Sequence, residues 1–147
     1  MSYSIVQTLL VAAFGLVYLL APGPNIFHPG RGLTIAGDLV CLAGVLLLIA
    51  AIVTLRHAVQ VAPEPKFGAV LVRTGVYRRF RHPIYTAMAA VVLGFCLKSG
   101  SLAVAIAGAT LIVFLAAKVR VEERFLGARY PDYADYRRHT WGLFPGL

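Results

Sequence analysis

The chain has 147 residues, one domain at most. It is 59% hydrophobic and only 14% charged, where a soluble domain carries about 25% charged residues, and its mean hydropathy is +0.78. So few charges cannot cover a water-facing surface, and the composition describes an integral membrane protein. Two cysteines exclude a disulfide framework or a cysteine-rich zinc site. Four scattered histidines without HExxH spacing argue against a metal centre. Fourteen basic residues against six acidic ones give a net charge of +8. In a soluble protein that excess would suggest nucleic acid; in a membrane protein its placement decides its meaning.

The first apolar segment covers about residues 4–20 and holds no charge. It lacks the basic start and the A-x-A site of a cleaved signal peptide, so it reads as a span. Two prolines and a glycine in Ala21-Pro22-Gly23-Pro24-Asn25 end it. A second segment covers residues 33–55, with Asp38 near its start. Residues 61–65, with two prolines, form a stiff, extended loop piece. Residues 83–97 and 100–117 are the third and fourth segments, and the tight turn Lys98-Ser99-Gly100-Ser101 between them predicts a helical hairpin. The small residues Ala103, Ala105, Ala107, Gly108 and Ala109 suggest close helix packing. A bilayer core needs about 20 helical residues, so the first and third segments must borrow flanking residues or end in the interface. The fourth helix continues through Val119, Val121 and Phe125. Pro131 then ends it or starts a short helix over residues 132–138. The expected fold is all-α: one polytopic domain of residues 1–147 with about four transmembrane helices and a C-terminal cytoplasmic helical segment.

Six basic residues, Arg56, Lys66, Arg73, Arg78, Arg79 and Arg81, fall between the second and third spans. Six more, Lys118, Arg120, Arg124, Arg129, Arg137 and Arg138, follow the fourth. Four spans place both groups on one side, and the positive-inside rule makes that side cytoplasmic, together with both termini. The +8 is thus read as orientation and contact with anionic lipid heads. No nucleic-acid partner and no metal are expected.

Polar side chains concentrate at the cytoplasmic ends of the last two spans. Pro83 suits a helix start, and a helix start favours a carboxylate or phosphate. Arg81 and His82 add donors there, and Tyr85 lies about one turn further along the same face. Membrane-interface anchoring accounts for the same residue types. Glu122 and Glu123 follow an apolar span directly, where acids are costly unless paired. They point about 100° apart on a helix, so one can meet a ligand while the other pairs with Arg120 or Arg124; simple pairing along a solvated helix is the plainer alternative. Residues 130–141, rich in tyrosine and ending in Trp141, read as an amphipathic interfacial helix with an aromatic belt. Cys41 and Cys96 read as small packing residues.

In this order the clusters resemble the isoprenylcysteine carboxyl methyltransferase family, within the wider set of small membrane methyltransferases that includes phospholipid N-methyltransferases. The resemblance rests on Leu71-Val72-Arg73-Thr74-Gly75-Val76-Tyr77, Arg81-His82-Pro83-Ile84-Tyr85, Glu122-Glu123 with Leu126, Tyr130-Pro131-Asp132-Tyr133, Tyr136 and Phe144-Pro145. It covers about residues 67–145; Thr86 and Ala87 stand where a glycine is usual. The resemblance implies S-adenosylmethionine as methyl donor, with S-adenosylhomocysteine as product. It implies that His82, Tyr85 and a glutamate of the Glu122-Glu123 pair hold the donor. Arg81 and the stretch containing Val72, Thr74, Gly75 and Tyr77 then lie close by. A reactive end near the membrane interface points to a lipophilic acceptor among or near the membrane lipids. Glu122 or Glu123 serves as base if the acceptor is an amine or thiol. Arg120, Arg124 and Arg137 are the candidate cations if it is a carboxylate. No G-x-G-x-x-G follows a strand, so a Rossmann methyltransferase is excluded by pattern; Gly30-Arg31-Gly32 leads into an apolar span.

Two other classes compete. A four-span transporter would carry an essential carboxylate inside its first span, which has none here, and Asp38 lies near the outer end of the second. A non-catalytic membrane adaptor would tolerate loss of His82, Tyr85 and Glu123.

Overall fold

A computed structural model describes residues 2–20, 23–61 and 71–144, with side chains of residues 3–20, 23–56 and 71–144. Lys66, the residue 62–65 loop piece and Pro145 lie outside the described residues. The described chain forms helix α1 (Ser2–Leu20), α2 (Arg31–Val61), a 3-10 turn (Gly75–Arg78), α3 (Pro83–Ser99), α4 (Leu102–Arg129) and α5 (Tyr133–Arg138). Among the described residues there is no strand; the extended contacts are isolated bridges, Asn25 with Ser101 and Phe80 with Trp141.

All four expected spans are helices, and α1, α2 and α4 are long and apolar enough to cross a membrane. Their unequal lengths shape the site. At 1.5 Å per residue, the 17 residues of α3 reach about 25 Å, short of a bilayer core of about 30 Å. The 31 residues of α2 and 28 of α4 reach about 46 and 42 Å. The recessed start of α3 is therefore walled by the projecting ends of α2 and α4. The extra length of α4 is the expected continuation through Val119, Val121 and Phe125.

The turn between α3 and α4 forms as the residue types require. Gly100 adopts φ +63, and an added Cβ would lie against the Phe27 carbonyl. Ser101 caps α4 by accepting from Val104 N at 3.4 Å. The opposite loop docks here, through Ile26 N to Gly100 O at 2.8 Å and Leu102 N to Pro24 O at 3.1 Å.

The closest helix approach is between α2 and α3. A Cβ at Gly94 would lie 2.4 Å from Cys41 Sγ and 2.5 Å from Gly37 O, and one at Gly44 would lie 2.9 Å from Ala87 O. Small residues let two backbones touch where apolar burial gives no net drive. The alanine-rich face of α4 contributes less: Gly108 meets Cys96 and Val92 of α3, but Ala109 is exposed. Phe14, Val92, Val104, Leu111, Leu115 and Leu143 form the buried core between α1, α3, α4 and the C-terminal segment. Leu39, Leu42, Leu46 and Ile49 of α2 are exposed, as lipid-facing residues are.

Candidate active site

Three chain segments converge at the start of α3. His82 occupies the N-cap position and Pro83 the first turn, where the missing proline N–H leaves no bond unmade. Thr86 donates to the carbonyls of His82 at 3.1 Å and Leu143 at 2.9 Å. This small residue in the expected glycine region thus ties the C-terminal segment to α3. Arg81 N donates to Trp141 O at 2.7 Å, and Trp141 N to Arg79 O at 2.8 Å. The segment after α5 is therefore a strap laid across the base of α3.

Arg81 holds the strap and α4 together. It is buried, and its Nε donates to Glu123 Oε1 at 2.9 Å. Its Nη1 donates to Arg137 O at 2.8 Å and also to Thr140 O. Arg137 Nε sits 3.6 Å from the other Glu123 oxygen. Glu123 is thus committed to structural pairing, while its neighbour faces the site. Glu122 Oε1 accepts the Tyr85 hydroxyl at 2.8 Å. Its Oε2 lies 3.7 Å from His82 Nδ1, and Lys118 Nζ is 3.8 Å from Oε1. The His82 and Tyr85 rings stack at 5.8 Å.

Two cavities meet at this cluster, with Tyr77, Arg81, His82 and Glu122 lining both. The smaller, about 240 Å³, is also lined by Val72, Leu126, Tyr130, Tyr133 and Tyr136. The larger, about 390 Å³, opens toward α1 and adds Gln7, Tyr85 and Lys118. Among the described residues the buried Tyr133 hydroxyl has no hydrogen-bond partner, while His82 Nε2 lies 3.5 Å from Glu123 Oε1. A buried polar group left unpaired costs about 1–3 kcal/mol, so the Tyr133 hydroxyl is poised for a ligand. Burial lowers the His82 pKa below 6.5, outweighing the pull of Glu123 and Glu122; the ring is neutral at pH 7. Burial pushes the Tyr133 and Tyr136 hydroxyls up to about 12 and raises Tyr77, so these three stay protonated and act as hydrogen-bond donors.

The expected site residues divide by position. Val72, Tyr77, Arg81, His82, Tyr85, Glu122 and Glu123 come together. Thr74 is exposed, and Gly75, at φ +54, packs against Thr54 of α2 rather than lining these cavities. The expected pairing of a glutamate with Arg120 or Arg124 is overturned: Glu123 pairs with Arg81 and Arg137, and Glu122 faces Lys118. Arg120 and Arg124 are exposed. Two residues along a helix are about 200° apart, so the row Arg120–Arg124 faces away when the row Lys118–Glu122 faces in. The aromatic-belt expectation is also corrected. Tyr133 and Tyr136 are buried, and Tyr136 donates to Tyr77 O at 2.6 Å. Trp141 packs edge-on against Phe80, with Arg79 over its ring.

Gln7 and Lys118 were not expected here. The signal for Lys118 was its phase, one turn before Glu122 on the helix face that buries Leu111 and Leu115. The signal for Gln7 was a lone amide in an apolar helix. Among the described residues, no group of three or more His, Cys, Asp or Glu could hold a metal ion.

The sequence profile described as phospholipid methyltransferase matches residues 33–133. The cobalt-zinc-cadmium resistance protein CzcN of Cupriavidus metallidurans is 37% identical over 78 residues, 52% of this chain and 36% of the relative. The nickel-cobalt-cadmium resistance protein NccN of Alcaligenes xylosoxydans xylosoxydans is 37% identical over 79 residues, 52% of this chain and 37% of the relative. The matched segment is thus just over a third of the length of these relatives. No solved structure matches the chain.

Proposed function

The chain belongs to the phospholipid methyltransferase family, and from that premise we propose that it transfers a methyl group from S-adenosylmethionine to a lipophilic acceptor at the cytoplasmic membrane interface. The observation that carries this reading is the meeting of two cavities at one wall of Tyr77, Arg81, His82 and Glu122. A group-transfer enzyme needs donor and acceptor chambers that share a boundary.

The smaller cavity fits the donor. Tyr77, Tyr130, Tyr133 and Tyr136 offer aromatic faces to a sulfonium and an adenine. Glu122 offers a carboxylate to an ammonium or to ribose hydroxyls, and the His82 ring and the unpartnered Tyr133 hydroxyl offer polar contacts. When bound, S-adenosylmethionine would supply an electrophilic methyl group to the acceptor lone pair and leave as S-adenosylhomocysteine. Arg81 and Glu123 hold the end of α5, whose Tyr133 and Tyr136 wall the chamber and limit water entry. Tyr85 orients Glu122 through its hydroxyl. Where the acceptor is an amine or thiol, Glu122 takes its proton; where it is a carboxylate, no proton moves.

The larger cavity takes the acceptor. Above it along α1 lies an apolar groove of about 440 Å³ lined by Phe14, Tyr18, Leu48, Met88 and Phe95, room for a hydrocarbon chain reached from the bilayer. The transporter reading has weaker support, because Asp38 is ion-paired with Lys98 at 2.6 Å at the far end of the bundle. Ultraviolet cross-linking with methyl-labelled S-adenosylmethionine tests the assignment. Label is expected in peptides carrying residues 71–85 and 122–136; label confined to α1 or α2 refutes it.

A further inference from the structure

Lys118 is the charged group that this mechanism leaves without a task. It lies on α4 one turn before Glu122, with its side chain 9% exposed. Its closest partner is a neutral amide oxygen, Gln7 Oε1, at 2.6 Å. The facing carboxylate oxygen, Glu122 Oε1, is 3.8 Å away and already accepts the Tyr85 hydroxyl. The Tyr85 ring adds its face at 5.0 Å. An ammonium buried at membrane depth is costly without full compensation, and this one is only partly compensated.

The geometry also says what lies on either side. The Gln7 amide nitrogen donates to Met88 Sδ at 3.4 Å. Lysine can only donate and a thioether sulfur only accept, so one orientation satisfies both neighbours and turns the oxygen toward Lys118. Gln7 and Lys118 line the polar 390 Å³ cavity, and Met88 lines the apolar groove. Gln7 therefore marks the junction of the two. Of the described groups lining the polar cavity, Arg81 and Lys118 are cationic and Glu122 is the one carboxylate, and Arg81 is committed to Glu123.

We propose that Gln7 and Lys118 anchor an anionic group of the methyl acceptor, an amphiphile whose carboxylate or phosphate contacts Lys118 Nζ and whose hydrocarbon chain follows the groove along α1. This rests on the methyltransferase reading above and adds to it the two residues that position the acceptor. The ammonium completes its compensation when the anion binds, and Gln7 fixes the depth at which headgroup gives way to chain.

Native mass spectrometry of the full chain reads both sites in one spectrum. The probes are S-adenosylhomocysteine, dodecyl phosphate, dodecanol and inorganic phosphate. Wild type is expected to carry one S-adenosylhomocysteine and one dodecyl phosphate, with dodecanol and inorganic phosphate each binding more weakly. Lys118→Met should weaken dodecyl phosphate about tenfold or more, as loss of a charge-assisted contact does. Gln7→Leu, a second variant should the first fail to fold, should weaken it severalfold. S-adenosylhomocysteine binding retained within a few fold shows that each variant is folded. Dodecanol binding as tightly as dodecyl phosphate, or dodecyl phosphate unaffected by both variants, overturns the anion site and leaves the methyltransferase reading standing. Inorganic phosphate binding as tightly as dodecyl phosphate overturns the amphiphile in favour of a free anion. No S-adenosylhomocysteine on a folded wild type overturns the methyltransferase reading, and the acceptor assignment falls with it.

Discussion

Replacing Arg81 with leucine should undock the C-terminal strap while leaving the membrane helices formed. The Arg81 side chain is 5% exposed and that of Glu123 11%. Breaking a buried pair from one side costs about 3–5 kcal/mol, mostly the stranded charge. Arg137 still reaches Glu123 at 3.6 Å, but its side chain is 63% exposed, so solvent screens much of that help. The carbonyls of Arg137 and Thr140 also lose their donor, adding about 1 kcal/mol in all once water reaches them. The expected loss is about 4 kcal/mol, or close to a thousandfold in the opening equilibrium of residues 137–144. Arg81→Leu with Glu123→Leu removes both charges and should recover about 2 kcal/mol relative to Arg81→Leu alone. Hydrogen exchange by mass spectrometry on the peptide spanning residues 137–144 measures this directly. Exchange within about threefold of wild type in the single variant would refute the reasoning, as would a double variant worse than both singles.

Three further outcomes follow from the same geometry. Gly94→Ala drives a Cβ into Cys41 Sγ and the Gly37 backbone, so α2 and α3 must separate. The expected loss is about 2–3 kcal/mol, seen as a lower melting temperature, whereas Gly15→Ala, with nothing within 4 Å, should cause none. Tyr85→Phe removes the donor that orients Glu122 and should weaken S-adenosylhomocysteine by about three- to tenfold without lowering the melting temperature by more than a few degrees. His82 is held neutral by burial, with its pKa below the unfolded 6.5. The unfolded chain binds the proton first, so the stability from neutral His82 is full above pH 6.5 and declines as pH falls below it. Melting curves between pH 7.5 and 5 should show that decline in wild type and a flatter profile in His82→Gln.

The spans were legible because uninterrupted apolar runs leave a chain no other place to go, and Pro83 and Gly100 mark their own positions by backbone geometry. His82, Tyr85 and the Glu122-Glu123 pair were legible as a motif, but which glutamate faces the cavities was not. What stayed hidden depends on contacts distant in sequence. The Arg81–Glu123 bond joins residues 42 apart, and Gln7 meets Lys118 across 111 residues. Which row of α4 faces inward is a helix-phase question: Lys118 and Glu122 share the face of the buried Leu111 and Leu115, so Arg120 and Arg124 cannot. Tyr133 and Tyr136 resemble interfacial anchors by composition, and only the strap reveals that they turn inward. The glycines at 37, 44 and 94 carried no distinct signal because glycine in a span is common.

S-adenosylmethionine is proposed to bind the cavity lined by Val72, Tyr77, Tyr133 and Tyr136. Isothermal calorimetry with S-adenosylhomocysteine on the purified full chain, beside His82→Ala and Glu122→Gln, tests it most directly. One site per chain is expected in wild type, weakened about tenfold or more in each variant. A folded, monodisperse wild type that releases no binding heat at any temperature tried, or variants that bind as tightly as wild type, would contradict it.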